Sequence, residues 1–230
     1  MLFKEAVSSY GSHNKDLKLS IPKLVGKVWD ACSTLEKAPA TNVTAVGRAM
    51  AQVAVSMKDV LREMKELKPA STDPTDEASE EDLGNDLSPE EMKIAELAIH
   101  IVSDTLVVLK ELIRSITGLI KQEDQNKSDD FVNLLERLLK LSQEIGAQVD
   151  ELGACLYPPQ EFPAMKAVLE KIFNIIDEMQ LEIDNLKGSS QAFSQACTSL
   201  RGSLKELETE LGCANMTQLE PEMRNLVVSN

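Results

Sequence analysis

The chain has 230 residues, enough for one large domain or two small ones, and 43% are hydrophobic, which excludes global disorder. The net charge of −14 argues against binding to nucleic-acid backbones or anionic membranes, because both attract clustered Lys and Arg. Aromatic residues make up only 3%, and the ten Gly and nine Pro residues cluster between long periodic stretches. This distribution predicts an all-α chain with an aliphatic core.

Two helices are predicted in the N-terminal part. The first covers residues 21–35 and has one apolar face, with Trp29 beside it. The second is ended by Pro69, and its apolar residues recur at steps of three and four: Val43, Val46, Met50, Val53, Met57, Val60, Met64 and Leu67. Because two helices alone leave one face uncovered, residues 1–68 are predicted to form a helical hairpin of an incomplete bundle, prone to self-association.

An acidic segment follows the second helix. Residues 69–91 contain nine acidic residues and no Lys or Arg, and we place a linker at residues 69–88. Ser88, Pro89 and Glu91 together predict a helix start with a capping box. The linker is interpreted either as a solvated spacer or as a regulated docking segment. In the second interpretation Ser79, at an acidophilic kinase motif, and Ser88, before a proline, are phosphorylated.

Four further helices are predicted at residues 89–121, from 129 to about 156, from 163 to about 188, and at 193–211. Their similar lengths and short connections indicate an antiparallel four-helix bundle over residues 89–212. The first of them is apolar on two faces and should therefore be central. Gly212 is expected to end the last helix, which leaves residues 213–230 as a loose tail.

The sequence carries no recognisable catalytic or cofactor motif. It has no phosphate-binding glycine loop, zinc cluster or nucleophile elbow, and no Glu-x-x-His pair for a di-iron site. Its four cysteines are widely separated, which favours free thiols over disulfides and over metal binding. No stretch approaches the roughly 20 apolar residues of a membrane span. We therefore expect a non-enzymatic protein without cofactor or metal.

The apolar stripes of the helices have two interpretations. Most are expected to form the interior of the chain's own bundle. The second helix, together with Trp29, has no obvious packing partner in the sequence and is the better candidate for binding another protein. We therefore predict partner binding by Trp29, Val53, Met57 and Met64. On this hypothesis Met57→Asp abolishes partner binding and leaves helicity intact.

Two blocks of sequence resemble a known family. The first comprises residues 28–32 (VWDAC), 49–50 (AM) and 60–66 (VLREMKE), and the second comprises 145–152 (IGAQVDEL) with 156–159 (LYPP). In this order, with an acidic spacer between the blocks, they resemble the cyclin-D-binding proteins, also described as Grap- and cyclin-D-interacting proteins. The resemblance spans most of residues 20–210. Compared with that family, the chain is expected to lack the first helices.

The resemblance implies an all-helical fold similar to vinculin- and catenin-type bundles. It also implies a regulator in cytoplasm and nucleus that binds D-type cyclins, or helix-loop-helix-type transcription regulators, and restrains cell-cycle progression. It implies no basic DNA-contacting region, in agreement with the acidic composition. The alternative is a vinculin- or catenin-like cytoskeletal or adhesion scaffold without cyclin contact, which co-sedimentation with actin would distinguish.

Overall fold

The computed structural model describes residues 21–39, 41–69, 86–122, 129–185 and 190–227. Helices make up most of this part of the chain, with one short pair of strands. The elements in chain order are α1 (Ile21–Glu36), α2 (Asn42–Met64), β1 (Lys68–Pro69), β2 (Asp86–Leu87), α3 (Pro89–Gln122), α4 (Asp129–Ala154), α5 (Phe162–Asn185) and α6 (Gln191–Val227). The predicted all-α fold is confirmed.

Helices α3 to α6 form an antiparallel bundle in which each helix contacts the next and α6 returns to α3. Polar contacts between the helices follow this antiparallel order. On α3, Lys93 pairs with Glu210 at 2.7 Å, and Asp104, further along, accepts a hydrogen bond from Ser203 at 2.7 Å. The interior is aliphatic, with leucine, isoleucine, valine and methionine from all four helices and one fully buried phenylalanine, Phe193. This is the architecture that the periodic stripes predict.

The chain divides into two compact units, Met1–Ala45 and Val46–Asn230. The division therefore lies in the first turn of α2, whereas the sequence places a domain boundary at residue 68. Residues 46–64 of α2 belong to the same unit as the bundle, because their apolar stripe is covered by the chain itself. Its buried members are Val46, Met50, Met57 and Met64.

In the first unit, Thr41 caps the start of α2. Its hydroxyl oxygen accepts a hydrogen bond from the Thr44 amide at 3.2 Å, and the Thr41 amide donates to the Thr44 hydroxyl at 3.1 Å. This reciprocal pair satisfies two amides that the helix itself leaves without acceptors. It explains why α2 begins directly after the short connection from α1.

The chain on either side of residues 70–85 is joined by a short parallel pairing. Lys68 is opposite Asp86 and Pro69 is opposite Leu87, and both strands contact α3. Leu87 is fully buried. The two ends of the acidic segment are therefore fixed beside each other, at the start of α3.

The predicted capping box at the start of α3 is present. The Ser88 hydroxyl accepts a hydrogen bond from the Glu91 amide at 3.2 Å, and the Ser88 amide donates to the Glu91 carboxylate at 2.9 Å. Pro89 occupies the first helical position, where a missing N–H has no cost. Gln160, from the connection between α4 and α5, also donates to the Glu91 carbonyl at 3.1 Å.

The end of the last helix differs from the prediction. Gly212 does not stop α6, which continues to Val227 where a loose tail was expected. A glycine in a helix interior costs only about 1 kcal/mol relative to alanine. Leu211, just before it, is fully buried and holds this part of the helix on the bundle. One weak helix breaker is therefore not enough to end the helix.

We predict that Ser88→Ala lowers the free energy of unfolding by about 1 kcal/mol, because the Glu91 amide loses its capping acceptor. Urea denaturation followed by circular dichroism measures the change. Ser56→Ala is the matched control, since Ser56 is exposed on α2 and should be neutral or slightly stabilising. Equal stability of the two variants would contradict a capping role for Ser88.

Candidate protein-interaction site

Helix α2 approaches α4 closely at two glycines. A Cβ atom built on Gly146 would lie 2.8 Å from Cγ1 of Val53, and one on Gly153 would lie 3.0 Å from Cγ1 of Val60. Both spacings are seven residues, so the two contacts lie two helical turns apart on each helix. They advance in the same direction, and α2 and α4 therefore run parallel. A side chain at Gly146 would therefore require a shift of Val53 or of the helix, and one at Gly153 would require Val60 to move by a few tenths of an ångström.

Three of the four predicted partner-binding residues lie on α2, at or near this contact. Val53 is half-buried against Gly146, and Met64 is buried beside Gly153. Met57 has no exposed surface at all. The sequence interpretation required this face to be uncovered, but the chain's own α4 covers it. Met57 and Met64 are therefore core residues in this structure.

This packing changes what Met57→Asp would measure. A buried carboxylate without a partner costs several kcal/mol. If the carboxylate is protonated instead, that protonation carries a free-energy cost as well. The substitution should therefore destabilise the second unit, which contains Met57, so a loss of partner binding would not identify a binding surface. An exposed apolar residue is needed for that purpose.

Helix α1 carries such residues. Trp29 is 72% exposed and Leu35 is 76% exposed, and Val25, one turn before Trp29, is also exposed. With the half-buried Val28 they occupy one side of the helix, and none of the described side chains of α1 is buried. A contiguous exposed apolar face that includes tryptophan is typical of a protein-interaction site. Of the four predicted residues, Trp29 is the one exposed to solvent.

Of the two predicted phosphorylation sites, only Ser88 lies among the described residues. Ser79 lies outside the described residues. Ser88 is half-buried, and its amide and hydroxyl are both engaged with Glu91. A phosphate there would gain from the helix N-terminus but would lie next to the Glu91 carboxylate, a like charge. The role that the geometry gives Ser88 is helix capping.

The two buried cysteines, Cys155 and Cys197, do not resemble activated nucleophiles. Burial raises the pKa of the Cys197 thiol to about 11, and burial also raises the pKa of Cys155. A thiol with a raised pKa stays protonated at neutral pH and is a poor nucleophile and metal ligand. Among the described residues, no group of three His, Cys, Asp or Glu side chains is arranged to hold a metal. None of the described helices is long and apolar enough to span a membrane.

The sequence interpretation missed the role of Gly146 and Gly153. The signal was available: two glycines seven residues apart within a helix otherwise rich in good helix formers, and two valines with the same spacing on α2. Helix-interior glycine is unfavourable, so such a pair indicates a close approach of another backbone or side chain. Read in this way, the pair identifies α4 as the partner of α2.

Two family models match the chain. The model "Grap2 and cyclin-D-interacting, N-terminal" matches residues 1–70, and "Grap2 and cyclin-D-interacting, C-terminal" matches residues 71–181. Together they cover an uninterrupted 181 residues of the 230. The chain belongs to the family of Grap2 and cyclin-D-interacting proteins, as its resemblance to that family implied. The family description refers to interactions with other proteins, which agrees with the expected interaction protein.

A curated relative agrees with the family models. The chain is 24% identical over 157 residues to the cyclin-D1-binding protein 1 homolog of Xenopus laevis. The match covers 67% of this chain and 47% of the relative. The chain thus spans about half the length of the curated relative that it matches.

The contact between α2 and α4 gives a stability prediction. Gly146→Ala should lower the free energy of unfolding by about 1 kcal/mol or more, because overpacking against the stiff Val53 side chain outweighs the gain in helix propensity. The matched control is Gly202→Ala on α6, where nothing lies within 4 Å of the added Cβ. This control should raise the free energy of unfolding by about 0.5–1 kcal/mol.

The double variant Gly146→Ala with Val53→Ala tests the same contact. Removing the valine methyls relieves the clash, so the double variant should be more stable than the sum of the two single effects by about 1 kcal/mol. Chemical denaturation of the wild type, Gly146→Ala, Val53→Ala and the double variant measures this coupling. Additive effects would show that Val53 and residue 146 do not touch.

Proposed function

We propose that the chain is a non-enzymatic interaction protein that binds a D-type cyclin through the exposed apolar face of α1. The observation that carries this proposal is the 72% exposure of Trp29 in a helix within residues 1–70, the part matched by the N-terminal family model. The family description and the name of the Xenopus relative both refer to binding of cyclin D. Tryptophan is among the residues that most often dominate protein interfaces.

The proposed mechanism is occupancy of a partner groove by α1. An amphipathic helix of this kind places its apolar face in a hydrophobic groove and uses a few buried anchors. Trp29, Val25 and Leu35 would supply these anchors. The second unit would then act as the stable part of the protein, since its own apolar stripes are already covered.

We further propose that this binding restrains cell-cycle progression and influences transcription, and that the protein acts in cytoplasm and nucleus. Helix-loop-helix-type transcription regulators are a second candidate partner class, through the same α1 face. Grap2, which the family description names, is a third candidate. These proposals rest on family membership, and they are tested after the cyclin contact itself.

The binding test uses the full chain and purified cyclin D1 in a pull-down and in isothermal titration calorimetry. Trp29→Ala should weaken binding by about 30-fold or more, which corresponds to a hot spot of about 2 kcal/mol. Circular dichroism and thermal denaturation should be unchanged, because the Trp29 side chain is mostly in solvent. Leu181→Ala, at a 62% exposed leucine of α5, is the matched control and should bind normally.

Two results would contradict the proposal. If the wild-type chain does not bind cyclin D1, the proposed partner is wrong. If it binds and Trp29→Ala binds equally well, the partner is right but α1 is not the contact surface. Grap2 in the same assay tests the third partner class separately.

A further inference from the structure

A pocket of about 260 Å³ opens between the C-terminal halves of α2 and α4. Its lining residues are Val60, Glu63, Met64, Leu67, Asp150, Gly153, Ala154 and Tyr157. Most of the wall is apolar. The wall at Gly153 is bare backbone, and even one added carbon there would lie 3.0 Å from Val60. The absence of a side chain at Gly153 therefore helps to keep the pocket open.

Two carboxylates and one aromatic ring complete the lining. Glu63 comes from α2 and Asp150 from α4, so the two negative groups belong to opposite walls. The residues that line the pocket include no Lys, Arg or His. Within the described part of the chain, neither carboxylate takes part in an ion pair or hydrogen bond. The pocket thus has an apolar interior and an uncompensated negative charge.

The size of the pocket limits what it can hold. Cofactor and drug-sized ligands occupy sites of about 300–1,000 Å³, and this pocket is smaller. It is larger than the roughly 150 Å³ cavity that holds one benzene ring. A single long side chain therefore fits, and the rest of its bearer must remain outside.

We propose that the pocket between α2 and α4 is a docking site for an arginine side chain from a basic segment of a protein partner. The methylene stem packs on Val60, Met64 and Leu67, as long charged side chains do on apolar surfaces. The guanidinium group lies between Glu63 and Asp150, where its planar donors match carboxylates, and it can stack on the Tyr157 ring. The net charge of −14 attracts a basic segment from a distance.

This site is separate from the proposed cyclin contact. It uses residues of α2 and α4 and none of the apolar residues of α1. Failure of cyclin binding would therefore leave the proposal standing, and the two tests report on different side chains.

The test is a methyl NMR titration of the full chain with the tripeptide acetyl-Leu-Arg-Leu-amide. Saturable shifts of the Val60 and Met64 methyl groups are expected, with a Kd of about 1 mM, which corresponds to a binding free energy of about −4 kcal/mol. The exposed Val107 methyls on α3 serve as the remote reference. The same tripeptide with citrulline in place of arginine keeps the shape and removes the charge, and it should bind at least 10-fold more weakly.

Matched variants separate the local charge from the overall charge. Glu63→Gln with Asp150→Asn should weaken binding at least 10-fold. Glu178→Gln with Glu206→Gln removes the same charge from exposed positions of α5 and α6 and should leave binding unchanged. Ala154→Leu, which fills the pocket from an exposed lining position, should abolish the shifts.

Three results would overturn the proposal. The first is the absence of saturable shifts at Val60 and Met64. The second is equal binding of the arginine and citrulline tripeptides, which would make the site purely apolar. The third is binding of free arginine amide as tight as that of the tripeptide, which would identify a small-molecule site.

Discussion

The position of α2 depends on two places where α4 has no side chain. Gly146 lets Val53 approach the α4 backbone more closely than a Cβ atom would allow, and Gly153 lets Val60 approach to a distance at which a Cβ atom would be tightly packed. This close contact turns the methionine stripe of α2 toward the chain's own interior. The absence of a side chain at Gly153 also leaves room for the pocket between the two helices. Helix packing and the candidate docking site are therefore consequences of the same sequence feature.

The bundle itself follows from sequence periodicity. The stripes on α3, α4 and α5 recur at helical spacing. Their described members on α4 and α5 are buried, whereas the two stripes of α3 contain both buried residues, such as Val102 and Leu109, and half-buried ones, such as Ile99 and Leu106. Ser142 interrupts the stripe of α4, yet it lies fully buried because its hydroxyl donates to the Leu138 carbonyl at 2.7 Å. A serine that satisfies its own hydrogen bond within the helix can occupy a core position. The end of α6 was not predictable from Gly212, because the local penalty of one glycine is small.

The periodicity of α1 and α2 does not by itself show whether an apolar face is buried inside the protein or exposed to solvent. Both helices carry an apolar face, but Met57 is fully buried and Trp29 is exposed. The spacing of hydrophobic residues identifies the apolar side of a helix. It does not identify the element or partner protein that covers this side. The spacing of the two glycines on α4 was the sequence feature that indicated which helix covers α2. The candidate interaction face therefore shifts from the methionines of α2 to the tryptophan of α1.

The composition of the acidic segment suggests a linker between two helical parts, but the residues on both sides of it lie within one compact unit. Residues on both sides of 70–85 pair with each other and belong to the same compact unit, so the segment does not separate two independent domains. The division lies instead between Ala45 and Val46. An apolar residue of α1 can thus be changed without removing a core contact, since none of its described side chains is buried. A substitution on the buried face of α2 does remove core contacts, so it would alter binding and folding together. This difference makes α1 the part of the chain on which a partner contact is most directly measured.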